Sequence, residues 1–129
     1  MDSVPHTLVK EERLCSRKAI EELFSGGHQS VSAYPIRAIF MASEQTGVRI
    51  MVSVSKRYFK RAVKRNYIKR QLREAYRLQK ELLLPLSGGL DIAFLWTSDE
   101  ILSSERVTKK VHNILQRIHE SITPVPSVP

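Results

Sequence analysis

A chain of 129 residues, 42% hydrophobic and 26% charged, has the length and balance of one globular unit able to bury a core without staples. Its single cysteine, Cys15, excludes an internal disulfide framework, and its longest apolar runs fall far short of a membrane span. The first residues lack the basic-then-apolar pattern of a secretory signal, so a cytoplasmic protein is expected; the net charge of +8 points to a polyanionic partner.

Residues 1–9 are polar, include a proline and are expected to be loose. Ser16 is placed to cap a helix carrying Ile20, Leu23 and Phe24 at helical spacing, and Gly26-Gly27 would end it. From Val31 to Ser43, Ile36, Ala38 and Phe40 alternate with Arg37 and Ile39, which predicts a strand, with a short extra strand possible near Val31 to Ala33. After a turn at Glu44 to Gly47, Val48, Ile50, Val52 and Val54 alternate again, and the two runs together read as an antiparallel hairpin. A segment without glycine or proline then runs from about Tyr58 to Leu84, which predicts a long helix stopped by Pro85 and Gly88-Gly89. Leu90 to Thr97 reads as a buried strand, and Ser103 or Ser104 caps a final helix with Val107, Val111, Ile114, Leu115 and Ile118 on its apolar stripe. The tail from about residue 122 is proline-rich and expected to be disordered. The result is a single domain over residues 1–129: an α+β fold in α-β-β-(β)-α-β-α order, with a small single-layer sheet of about four strands packed with helices.

The charge is concentrated. Between Lys56 and Lys80 stand Lys56, Arg57, Lys60, Arg61, Lys64, Arg65, Lys69, Arg70, Arg73, Arg77 and Lys80 against one acid, Glu74, a net +10. The rest of the chain holds ten cations and twelve acids. At about 100° per residue, Asn66, Lys69, Arg70, Arg73, Arg77 and Lys80 share one arc of the long helix, while Ile68, Leu72, Ala75 and Leu82 share another. A merely solvated face would interleave glutamates at i+4. Here they are nearly absent, and the weight toward arginine suits phosphate forks and base stacking. Composition alone leaves RNA, DNA and acidic lipid open as partners. Asn66 is slight support for a DNA-reading helix, and no dimer element accompanies it.

Residues 53–77 narrow the choice. Ser53-Val54-Ser55-Lys56, then Ala62-Val63, Arg65-Asn66, Lys69-Arg70 and Arg73-Glu74 closely resemble the signature of the bacterial ribonuclease P protein component, in residue type and in spacing. A weaker likeness extends over most of residues 10–120. Two departures stand out: Tyr58-Phe59-Lys60-Arg61 fills a link that often holds a glycine and is one residue longer, and Ile20 stands where an aromatic is common. The resemblance implies a protein subunit with no active site of its own, assisting a catalytic RNA that holds the Mg2+ ions and trims the 5′ end of precursor tRNA. It implies that Arg65, Asn66, Lys69, Arg70 and Arg73 contact that RNA, supported by Lys56, Arg57, Lys60, Arg61 and Arg77. It further implies a cleft for the single-stranded 5′ leader at Ile20, Phe24, Phe40, Ser53 and Arg57, where apolar groups stack bases without reading them. The implied fold is of the ribosomal-protein-S5-domain-2-like type, with a left-handed βαβ crossover.

Nothing else in the chain suggests catalysis. His6, His28, His112 and His119 are scattered, with no acid or cysteine at ligand spacing. The glycine pairs are turns rather than phosphate loops, Cys15 has no activating neighbour, and Trp96 reads as core. The alternative reading is a non-enzymatic structural RNA binder such as a ribosomal protein.

Overall fold

The computed structural model describes residues 13–14, 16–26, 28–43, 46–84 and 88–122. The expected loose start and all but the first residue of the proline-rich tail lie outside them. The elements run α1 (Arg17–Phe24), β1 (Gln29–Ala33), β2 (Ile36–Ser43), β3 (Gly47–Val54), α2 (Ala62–Gln79) with a 3-10 turn (Lys80–Leu83), β4 (Gly89–Trp96) and α3 (Ser104–Ile122).

Local chemistry sets most boundaries. Ser16 Oγ accepts the Ala19 N–H at 3.3 Å to start α1, and Gly26, at φ +118°, leads the chain away from its end. Pro35, which lacks an N–H, splits the expected long strand at Tyr34-Pro35. The possible short strand is therefore a full partner of β2, in register from Gln29–Phe40 to Ala33–Ile36. Ser103 Oγ accepts the Arg106 N–H at 3.3 Å at the start of α3.

The expected hairpin between the second and third strands does not form. The sheet order is β1-β2-β4-β3, so β4 lies between them, antiparallel to β2 and parallel to β3. Ser43 and Gly47 flank Gly89 from opposite sides. The link between them spans two strand spacings, roughly 10 Å, which four residue steps of up to about 3.5 Å cover easily. Burial decides who takes the centre: in β4 every residue is buried except Leu95, which is half-buried. A strand apolar on both faces belongs inside a sheet. β3 and β4 are thereby a parallel pair joined through α2.

The two faces of the sheet are unequal. One carries the main core, where Ile36, Ala38, Phe40, Ile50, Val52, Leu90, Ile92, Phe94 and Trp96 meet Ile68, Leu72, Ala75 and Tyr76 of α2 and the full predicted stripe of α3. The other holds a smaller cluster of Leu14, Leu23, Ile39 and Ala93, with Ala19, Ile20, Met41, Met51 and Leu95 half-buried around it. α1 covers only part of that second face. The molecule thus has one finished side and one partly open side.

Candidate nucleic-acid interface

The long helix begins at Ala62, four residues later than predicted, because the preceding stretch is a structured loop. Arg57 N–H donates to Ser55 Oγ at 3.0 Å, and Tyr58 and Phe59 N–H groups donate to the Ser55 carbonyl at 3.1 and 3.3 Å. Phe59 is buried in the main core and pins the loop. From the first turn of α2, Arg65 Nη1 reaches back to the carbonyls of Phe59 and Lys60, both at 2.8 Å. The loop needs no glycine: among the described residues only Gly26, Gly47 and Gly88 have positive φ. Its extra length is held by a side chain instead.

That architecture aims a set of cations outward. Lys56, Arg57, Lys60, Arg61 and Lys64 are exposed on the loop and the first turn; Asn66, Arg70 and Arg73 are exposed along α2, with Lys69, Arg77 and Lys80 half-buried beside them. The Arg57 guanidinium lies 6.0 Å from the centre of the Tyr58 ring. Among the described residues, Lys56, Arg57, Lys60, Arg61, Lys64, Lys69, Arg70 and Arg73 form no ion pair with a carboxylate. Arg77 does, with Glu74; that hydrogen bond holds the Glu74 carboxyl below the usual carboxylate range and raises the Arg77 guanidinium. So many uncompensated positive groups on one surface create a field suited to a polyanion. Arg65 differs from its neighbours, since its Nη1 is committed to the loop backbone.

The partly open sheet face forms a second surface, and strand register arranges it in three rows. Met41, Asp91 and Arg49 form the first; Ile39, Ala93 and Met51 the second; Arg37, Leu95 and Ser53 the third. The third row lies nearest the basic loop, because Ser53 is three residues before Lys56. Arg37 is exposed and its Nε donates to Ser30 Oγ at 3.3 Å. The floor is apolar and flexible in its methionines, with the exposed Arg37 at one end and Arg49, paired to Asp91, at the other.

The family model described as Ribonuclease P matches residues 8–119. A ribonuclease P protein component of Porphyromonas gingivalis is 39% identical over 118 residues, covering 86% of this chain and 85% of that protein. One from Chlorobaculum tepidum is 32% identical, covering 88% and 83%. The chain belongs to the ribonuclease P protein family. Its fold is similar to those of the solved ribonuclease P proteins of Thermotoga maritima, at a TM-score of 0.68, 24% identity and coverage of 82% and 96%, and of Staphylococcus aureus, at 0.69, 20%, and 87% and 98%.

Within this ribonuclease P protein, the residues expected to line a leader cleft separate. Ile20 is half-buried on α1 against the open sheet face, Phe24 is exposed at the end of that helix, Ser53 lies in the third row, and Arg57 is exposed on the adjoining loop. Phe40 does not belong with them. It is 1% exposed and packed in the main core, because it lies in phase with Ile36 and Ala38 and so points to the opposite face. One position further along, the half-buried Met41 is on the open face; Ile39, on the other side, is itself buried at 2% exposure with Leu14 and Leu23. Sequence reasoning did not place Met41, Met51, Leu95 or Arg37 on that sheet face. The available signal was the two-faced apolar run of β4, which requires cover on both sides of the sheet. Among the described residues, no group of three or more His, Cys, Asp or Glu is gathered for a metal ion, and no helix is long and apolar enough to cross a membrane.

Proposed function

We propose that this chain is the protein subunit of a bacterial ribonuclease P, working in the cytoplasm with a catalytic RNA to remove the 5′ leader of precursor tRNA. The observation that carries the proposal is the unpaired cationic ridge of α2 and its loop. Eight lysines and arginines, seven exposed and Lys69 half-buried, have no internal carboxylate partner among the described residues. Their mutual repulsion is offset once the phosphates of a folded RNA replace the missing acids.

The two surfaces support a division of labour. Arg70 and Arg73, with Lys69 and Asn66, hold the catalytic RNA; Arg65 positions the loop from which Lys56, Arg57, Lys60 and Arg61 reach. The sheet face beside α1, lined by the half-buried Met41, Met51 and Leu95 and flanked by Ile20, Phe24 and Ser53, takes the unpaired leader. Apolar groups there stack or cover bases irrespective of sequence, while Arg37 and Arg57 follow the phosphates. Binding the leader favours precursor over product, because product has none. On this reading the Mg2+ ions and the hydrolytic step belong to the RNA, and the protein supplies binding and orientation.

The test is reconstitution. The purified protein alone leaves precursor tRNA intact, but restores cleavage by its RNA subunit at modest magnesium and binds precursor more tightly than mature tRNA. With roughly six phosphates contacted, affinity for the RNA falls on the order of a thousandfold between 50 and 200 mM salt. Unchanged cleavage on adding protein would overturn the proposal.

A further inference from the structure

Four of the large apolar side chains exposed among the described residues, Tyr34, Val63, Tyr67 and Ile101, gather at one end of the molecule. Register fixes that end: Ile36 opens β2 beside Trp96, and Val54 closes β3 beside the same residue. The Tyr34-Pro35 turn, the Lys56–Arg61 loop and the approach to α3 therefore leave the sheet together.

Val63 and Tyr67 lie one turn apart on α2 and are 78% and 44% exposed. They sit off the ridge of Arg73 and Arg77, on the flank toward α3. Lys64 and Arg70 stand three residues to either side of Tyr67, exposed and unpaired with any described carboxylate. The phenol itself is anchored. Gln71 Nε2 donates to Tyr67 Oη at 3.1 Å and to Ser104 Oγ of α3 at 3.2 Å. Gln71 is only 9% exposed, and its Oε1 is buried without a partner among the described residues. Held in that buried position, the Gln71 amide is a fixed bridge between α2 and α3. It holds a surface ring in one orientation.

We infer that Tyr67, backed by Val63, is a stacking platform for an unpaired base of the ribonuclease P RNA, with Lys64 and Arg70 taking the adjoining phosphates. The inference rests on the proposed RNA-subunit reading. Charge complementarity selects the occupant: an aromatic face between unpaired cations suits a nucleotide, whereas a protein partner would need acids opposite them.

Equilibrium binding of the full chain to its ribonuclease P RNA, across a salt series, tests it with three variants. Tyr67→Ala is expected to weaken binding roughly fivefold to a hundredfold, with the salt slope unchanged because no charge is lost. Tyr67→Phe keeps the ring and stays within about threefold of wild type. Tyr67→Leu keeps apolar area without a π face and behaves like alanine. Wild-type binding by Tyr67→Ala would overturn the inference, as would wild-type binding by Tyr67→Leu, which would mean apolar packing rather than stacking. Self-association of the free protein that Tyr67→Ala abolishes would assign the patch to a second copy and also overturn it. Failure of the wild-type chain to bind the RNA at any salt would instead sink the parent reading. Should the alanine variant misfold by circular dichroism, the Phe-against-Leu contrast still decides.

Discussion

Arg49 on β3 and Asp91 on β4 stand opposite each other in the parallel ladder and clasp through two hydrogen bonds, Nε to Oδ1 and Nη2 to Oδ2, each 2.9 Å. Their side chains are 15% and 7% exposed, and Nη2 also reaches Ser43 Oγ on β2 at 3.4 Å. One guanidinium thus ties three strands together where the open sheet face begins. Asp91→Ala would strand that guanidinium in a mostly dry setting. The expected cost is about 3 kcal/mol, seen as a lower urea midpoint at unchanged m. Replacing both partners with apolar residues, Arg49→Met with Asp91→Leu, should recover most of the loss. An unmoved midpoint in Asp91→Ala would show that the clasp contributes nothing.

The arginines of α2 are not equivalent. Arg70 and Arg73 are exposed and bind nothing within the described chain, so alanine at either should leave stability within about 0.5 kcal/mol. Each should reduce the salt slope of RNA binding by about one. Arg65 holds two loop carbonyls. Arg65→Ala should cost about 1–2 kcal/mol of stability and weaken RNA binding by releasing the loop. Arg65→Lys should rescue poorly, because one ammonium does not reproduce the fixed geometry of a guanidinium. Thermal melts beside salt-dependent titrations separate the two kinds of arginine.

Glu74 is the one acid in the basic segment, and Arg77 holds its carboxyl below the usual carboxylate range through a hydrogen bond. Its side chain is 53% exposed, so the pair is screened and of little structural weight. Its charge still opposes an incoming phosphate. Glu74→Gln should tighten RNA binding roughly twofold to fivefold at low salt, an advantage that fades as salt rises. Weaker binding in Glu74→Gln would mean that Glu74 orients Arg77 for the RNA rather than competing for it.

Three features of the sequence carried most of the fold. Helical spacing placed α1 and α3, with the whole buried stripe of α3 but only Leu23 of α1 buried; Ser16 marked the start of α1, and Ser103 was one of two candidates for that of α3. The charge run placed the exposed arc of α2. Strand order was not readable, since a short polar turn between two alternating runs looks the same whether the runs pair or a later strand enters between them. Only the double-sided burial of β4 resolves it, and a local pattern does not disclose which neighbours provide that cover. The start of α2 was misjudged for a related reason: Tyr58 to Arg61 has helix-compatible residues, but Phe59 in the core and Arg65 on the loop carbonyls favour a turn. Phe40 was misplaced by one step of strand phase, the smallest error a strand allows and enough to move a side chain through the sheet.

Phe24 and Phe40 therefore make a paired test of which sheet face meets the leader. Phe24 is 44% exposed at the end of α1, so Phe24→Ala loses little buried area and should leave the fold near wild-type stability. If Phe24 borders the leader path, the variant should bind leader-bearing precursor tRNA roughly fivefold to tenfold more weakly, while its affinity for mature tRNA stays the same. Phe40 is 1% exposed in the main core, and Phe40→Ala opens a cavity expected to cost about 3–5 kcal/mol. Where that variant still folds, at low temperature or with stabilising salt, its preference for precursor over mature tRNA should survive, because nothing on the open face has changed. Met51→Ala, in the middle row against the Leu14, Leu23, Ile39 and Ala93 cluster, should behave like Phe24→Ala in discrimination, with a stability loss of about 1–2 kcal/mol for a half-buried side chain. The decisive measurement is the ratio of precursor to mature affinity in each variant. A ratio that drops in Phe40→Ala but holds in Phe24→Ala and Met51→Ala would move the leader to the other side of the sheet.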